Sequence, residues 1–331
     1  MQKESFTVVP LIAIHPDRIT YYKQVIGQRR RSHNLPPALS GGAAHRHGGS
    51  VSVKASRKIQ RAITYLCTIA KEKPVHSWQH QTTFKFRLAF ITLTLPSKQK
   101  HTDSEIMKRC FHQFLVEAKK KWNMHNYVWR AERQKNGNIH FHILVDRFVP
   151  WSELRDTWNR VTNKLGYVNN YRDEMRRYHN GGFHARADLM AQWSYKKQIK
   201  AYHEGVANDW SSPNSTDVHA VRKVKNIKAY VCKYMLKSSQ ADAEISRLWG
   251  CSYELSRAKG CVMELDSWAS EQILWLRNKF KPEEFSKEHF SVMFIDWFRC
   301  ARSGIESLAD RFAAYMLESF QVNIQMGIIG S

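Results

Sequence analysis

No stretch of the 331 residues is apolar for long enough to span a bilayer, and Met1 to Pro10 lack the layout of a signal peptide. A membrane-bound or exported protein is therefore not expected. Cysteine is sparse. The six residues Cys67, Cys110, Cys232, Cys251, Cys261 and Cys300 contain no C-x-x-C pair. Their scatter excludes a disulfide framework or a zinc knuckle and suits a reducing compartment. The G-x-x-x-x-G-K-[S/T] pattern is missing, which argues against a P-loop ATPase or helicase. No internal repeat is present. Acidic residues are scarce: 29 Asp and Glu face 52 Lys and Arg, for a net charge of +23. Such an excess fits a polyanionic partner, nucleic acid before an anionic membrane. A hydrophobic fraction of 43% excludes a mainly disordered chain.

The pattern along the chain predicts three parts. Residues 1–55 hold a short apolar piece, Phe6 to Tyr22, then a basic segment rich in Gly and Pro that reads as a flexible linker. Residues 56–260 form the main domain, with a polar insertion at about 167–217 carrying a helical piece near Leu189 to Tyr202. Residues 261–331 are rich in aromatics and read as mostly helical. Within the main domain, Ser56 to Lys73 has helical spacing and Phe86 to Leu95 reads as a central strand. Thr102-x-x-Glu105 is a capping box that opens a helix running to about Trp122. Tyr127 to Gln134 and Ile139 to Arg147 are strands around an Asn136-Gly137 turn, and a helix follows to Gly166. Val218 to Lys225 suggests a further strand. Asn226 is placed to cap a helix from Ile227 to Ser239. The fold class expected is α+β: a central antiparallel sheet flanked by helices, with a helical C-terminal region.

His140-Phe141-His142 lies on the third strand, where residues i and i+2 share a face. Two imidazoles side by side can hold one divalent cation. Glu132 sits eight positions before His140. A three-residue loop, Lys135 to Gly137, would place Glu132 opposite His140 on the same face. A two-residue Asn-Gly loop would turn it away. Two His and a carboxylate leave coordination positions open, as a catalytic metal site requires. An isolated H-x-H also arises by chance, and His45-Arg46-His47 in the linker is such a case. The second element is Tyr230-x-x-Lys233-Tyr234-x-x-Lys237. On a helix the two phenols share a face, as do the two ammoniums. A phenol attacks a phosphodiester only with help, because its ordinary pKa is near 10. Between Val218 and Ala241 there are six basic residues and no acidic one. Arg222, Lys223, Lys225 and Lys228 form the DNA-binding patch leading into this helix. A plain amphipathic helix, with buried Tyr and snorkelling Lys, fits the Tyr/Lys segment alone equally well.

Together and in this order, the motifs resemble those of the HUH endonucleases, the replication initiators of rolling-circle phages, viruses and plasmids. The resemblance covers roughly Phe86 to Leu255. Phe90-Ile91-Thr92-Leu93-Thr94 resembles the first motif, Gly137-Asn138-Ile139-His140-Phe141-His142 the second, and Tyr230-x-x-Lys233 the third. The repeat Tyr234-x-x-Lys237 matches the two-tyrosine subgroup, and Arg247 to Ser252 resembles a segment that follows the tyrosine helix. The resemblance implies that His140 and His142, with a third polar ligand, hold Mg²⁺ or Mn²⁺. Glu132 is the ligand that hairpin geometry nominates; His184 and His203 in the insertion compete. A tyrosine then makes a 5′-phosphotyrosine link to single-stranded or extruded origin DNA, and the second tyrosine closes the cycle. Lys233 and Lys237 assist. The expected partners are host helicase and DNA polymerase, and the expected location is the host cytoplasm. A two-tyrosine transposase would use the same site, whereas a non-catalytic basic DNA-binding protein would use the charge alone.

Overall fold

The computed structural model describes residues 7–26, 49–70, 73–77, 81–191, 193–221, 231–233, 235–236, 242–258 and 260–295. Two compact units divide the chain: residues 1–45 with 256–331, and residues 46–255. Strands and helices are numbered here in chain order.

In the first unit, β1 (Thr7–His15) and β2 (Arg18–Ile26) form a hairpin around Pro16-Asp17, a pair suited to a tight turn. β10 (Cys261–Glu264) adds to β1, and β12 (Phe290–Phe294) adds to β2. β11 (Glu284–Lys287) pairs with β12, giving the antiparallel order β10-β1-β2-β12-β11. Helix α8 (Ser267–Phe280) lies between β10 and β11 in sequence. The helical expectation for the tail thus holds over α8, but residues 284–294 are a hairpin. Short aromatic runs fit a helix or a strand, and pairing with β2, far away in sequence, selects the strand.

In the second unit, α1 (Val53–Ile69) is capped by Ser52, whose Oγ accepts from Ala55 N at 3.2 Å. β3 (Lys73–Ser77) and β4 (Thr82–Phe86) form a separate ribbon. The main sheet contains β5 (Ala89–Leu93), β6 (Tyr127–Arg133), β7 (Ile139–Val145), β8 (Thr216–Ala220) and β9 (Trp249–Cys251). All its pairings are antiparallel, in the order β8-β5-β7-β6-β9. β5 is internal, and the middle strand is the H-x-H strand β7. The architecture is α+β, with antiparallel sheets flanked by helices.

Between β5 and β6 run α2 (Asp103–Ile106), a π-helical turn (Met107–Phe111) and α3 (His112–Trp122). The capping box is present: Glu105 N donates to Thr102 Oγ1 at 3.3 Å and Thr102 N to Glu105 Oε2 at 3.0 Å. α4 (Trp151–Asn163) follows β7. The insertion contains α5 (Tyr167–Tyr178) and α6 (Tyr195–Ala207), one helix more than its sequence suggests. α7 (Tyr253–Arg257) closes the order before β10.

The core lies under one face of the main sheet. Ile91, Leu93, Trp129, Ala131, Phe141 and Ile143 point into it from the strands. The Phe111 ring stacks on Phe141 at 4.1 Å, and Trp158 of α4 meets Phe114 edge-on at 5.7 Å. Because side chains alternate along a strand, this same packing sends His140 and His142 to the opposite face.

Candidate metal centre

The hairpin β6–β7 sets the site. Glu132 lies directly opposite His140, and Arg130 opposite His142. Gln134 N donates to Asn138 O at 2.9 Å, and Gly137 N to Gln134 O at 2.9 Å. The loop is therefore the three residues Lys135 to Gly137, with Gly137 in the left-handed region at φ +84°. That loop length puts Glu132 on the histidine face. The turn is pinned from outside: Asn138 Nδ2 donates to Ser97 O at 2.9 Å, Gln99 N to Asn138 Oδ1 at 2.8 Å, and Arg133 Nη1 to Gly137 O at 3.0 Å.

Three polar atoms converge. Glu132 Oε1 is 2.9 Å from His140 Nε2 and 3.0 Å from His142 Nε2, and the two nitrogens are 3.0 Å apart. The side chains are 18%, 11% and 13% exposed, so the triangle is sheltered yet reachable from solvent. Burial pulls the Glu132 carboxyl upward, but hydrogen bonds from both imidazoles override it and hold the group well below the usual carboxylate range. Thr92 Oγ1, opposite His142 on β5, lies 3.1 Å from His142 Nδ1. A proton on Nδ1 donated to Thr92 leaves Nε2 with a free lone pair. The Phe90 ring packs against His142 at 5.2 Å and separates it from His219 on β8. His140 Nδ1 is buried and has no hydrogen-bond partner among the described residues.

The donor set fits a divalent cation. Two ligand atoms bound at right angles, each about 2.1 Å from the ion, stand about 3.0 Å apart. The triangle has that edge on all three sides, as three mutually adjacent positions of a six-coordinate ion would. Among the described residues, this is the one cluster of three His, Cys, Asp or Glu side chains close enough to hold a metal. His184 and His203 do not join it. His184 Nε2 faces Asn180 O at 3.1 Å, and the His203 ring packs on Tyr202.

The remaining candidates divide by position. Lys233 is helical and exposed, and Val231 and Met235 beside it are buried. Tyr230, Tyr234, Lys237, Arg222, Lys223, Lys225 and Lys228 lie outside the described residues. Two features had no signature in sequence. Thr92 belongs to a Thr-rich strand motif, but its partner is 50 positions away. Arg130, fully buried on the histidine face, donates to Asp242 Oδ2 at 3.0 Å and to Leu248 O at 3.2 Å. Asp242 Oδ1 in turn accepts from Arg133 N at 2.7 Å. This pair ties the segment after the Tyr/Lys motif to the strand that carries Glu132. The segment Arg247 to Ser252 supplies β9, and its Gly250 is required: a Cβ there would lie 2.7 Å from the Trp129 indole.

Searches against curated proteins and against solved structures found no match. The described site and the Tyr/Lys motif fall within residues 88–239, just under half of the chain, which match the family model for replication-associated proteins of the ORF2 type and so support a role in replication.

Proposed function

We propose that this chain nicks and rejoins single-stranded origin DNA, with a tyrosine as nucleophile and a divalent cation, Mg²⁺ or Mn²⁺, held by Glu132, His140 and His142. The observation that carries this reading is the 3.0 Å triangle of those three side chains within the span that matches the replication-associated family. A cation bound there supplies Lewis-acid polarisation of the scissile phosphate.

The chain's own residues do the rest. Glu132 and the two imidazoles fix the donor atoms on a rigid sheet, and Thr92 orients His142. The phenol of Tyr230 or Tyr234 loses its proton and attacks phosphorus. The bond to the 3′ oxygen breaks, and that oxygen takes up a proton. One phosphodiester is exchanged for a 5′-phosphotyrosine ester and a free 3′-OH. Rejoining is the reverse: a 3′-OH attacks the phosphotyrosine and restores the tyrosine. No bond energy is lost, so no nucleotide cofactor is needed. Lys233 and Lys237 place positive charge where the transition state gathers negative charge. Two tyrosines allow one to cut while the other still holds a strand. The 3′-OH then primes a host polymerase, and a host helicase unwinds the duplex, since the chain has no P-loop pattern.

The test is a covalent-adduct assay. Full-length protein is incubated with labelled single-stranded origin DNA and Mn²⁺, with and without EDTA, and resolved on denaturing gels. The expected result is a metal-dependent adduct, absent in H140A/H142A and in the double Tyr230→Phe/Tyr234→Phe variant. Cleavage without adduct would replace tyrosine by water as the nucleophile. Binding without cleavage would leave a basic DNA-binding protein.

A further inference from the structure

Helix α1 precedes the region that matches the family model, and the function proposed above gives it no part. Its charges are unusual. Residues 18–71 contain eleven Lys or Arg and no Asp or Glu. On α1, Lys54, Arg57, Lys58 and Arg61 are spaced i, i+3, i+4, i+7 and are all exposed, so they form one stripe. The opposite side of the helix is apolar and buried at Ile59, Ile63 and Leu66. None of the four cations has an ion-pair partner among the described residues. The stripe works against the helix itself. Like charges at i+3 and i+4 repel, and Lys54 sits in the first turn, where the helix dipole disfavours a cation and no acidic residue offsets it. A merely solvated helix face mixes both signs; this one does not.

The stripe also lies beside the candidate metal centre. α1 packs on β6 and β9. Its buried side chains lie outside the core under the opposite face, as do Val128 and Leu144 on the histidine face. Arg61 and Lys58 both act electrostatically on Cys251 of β9, as does the exposed Arg247. Cys251 stands opposite Val128, on the face that carries Arg130 and Glu132.

We propose that Lys54, Arg57, Lys58 and Arg61 form a track for the phosphate backbone of single-stranded DNA, leading along the β9 edge toward the Glu132–His140–His142 face. The proposal rests on the reading that the chain acts on single-stranded DNA. Four cations over about 10 Å of helix suit two or three successive phosphates, without sequence preference.

The test is equilibrium binding of a fluorescent oligo-dT of about 20 nucleotides. Full-length protein is used in EDTA, so neither metal nor tyrosine chemistry enters, across about 50 to 200 mM salt. K54Q/R57Q/K58Q/R61Q is compared with wild type and with K108Q/R109Q/K119Q/K120Q. The latter removes the same charge from exposed positions of the helical segment on the other face. The α1 variant is expected to bind roughly tenfold or more weakly, with the slope of log K against log salt shallower by about 2. The control should lose far less. The two half-variants, K54Q/K58Q and R57Q/R61Q, should each lose part of the slope, and thermal melting should be unchanged. Equal losses in the α1 variant and the control, or no loss in either, would overturn the track. The two readings fail separately. A wild-type adduct with unaffected α1 variants would sink only the track, and α1-dependent binding with no adduct would sink only the nicking reading.

Discussion

Glu132 owes its ionised state to two neighbours that themselves need a negative charge or a cation between them. Its carboxyl lies below the usual carboxylate range in the fold because the His140 and His142 bonds outweigh burial. The sign follows from linkage. A depressed folded pKa contributes stability above the unfolded value of about 4.3 and loses it as the pH falls below that value. In chelator, the difference in thermal midpoint between wild type and Glu132→Gln should therefore shrink as the pH is lowered from about 6 to about 3. A constant difference would contradict this assignment. Thr92 acts one step removed, through His142 Nδ1. Thr92→Val keeps the shape and removes the oxygen. Mn²⁺ affinity is expected to drop by about 10- to 100-fold while the fold persists, measured by titration calorimetry alongside a thermal melt. Cys110 is the contrasting case, since burial pushes its thiol up to about 11. It should resist alkylation in the native protein near neutral pH, as peptide mapping after brief iodoacetamide treatment would show.

At the scale of elements, the β6–β7 hairpin decides whether there is a site at all. One residue of slip would turn Glu132 to the other face. The two histidines were legible in the sequence because strand alternation needs no partner. The loop length was not, since Asn136-Gly137 serves either a two- or a three-residue loop. The choice is made by tertiary contacts: Arg133 to the Gly137 carbonyl, and Asn138 to Ser97 and Gln99. The Arg130–Asp242 pair was equally invisible, since its members are 112 positions apart. Its side chains are 0% and 2% exposed, so removing one partner leaves a buried charge. Asp242→Ala is expected to cost about 3 to 5 kcal/mol in chemical denaturation. At β9, Gly250→Ala forces a methyl against the Trp129 ring and should cost about 1 to 3 kcal/mol. The β11–β12 hairpin marks the limit of periodicity. Phe285, Phe290 and Phe294 suit a helix or a strand in isolation, and pairing with β2 is what fixes them as strands.

At the scale of the whole molecule, a charge of +23 divides between two units with different architectures. The first brings the chain's N-terminal hairpin and residues 261–294 into one sheet. Sequence separation hides such pairings, and composition could only mark the two regions as apolar and aromatic. The second unit holds everything for which chemistry is proposed: the Glu132–His140–His142 triangle, the Arg130–Asp242 tie and the basic face of α1. Among the described residues no helix is long and apolar enough to cross a membrane. The excess of positive charge is therefore best read against nucleic acid, where affinity and its salt dependence rise with each phosphate contacted.

The central claim is that three side chains on one sheet face form a single cation site. Electron paramagnetic resonance of free Mn²⁺, titrated into full-length wild type, Glu132→Gln and His140→Ala/His142→Ala, tests it most directly. One site per chain in wild type, weakened in Glu132→Gln and abolished in the double histidine variant, is the predicted result. Binding that is the same in all three proteins would contradict the account.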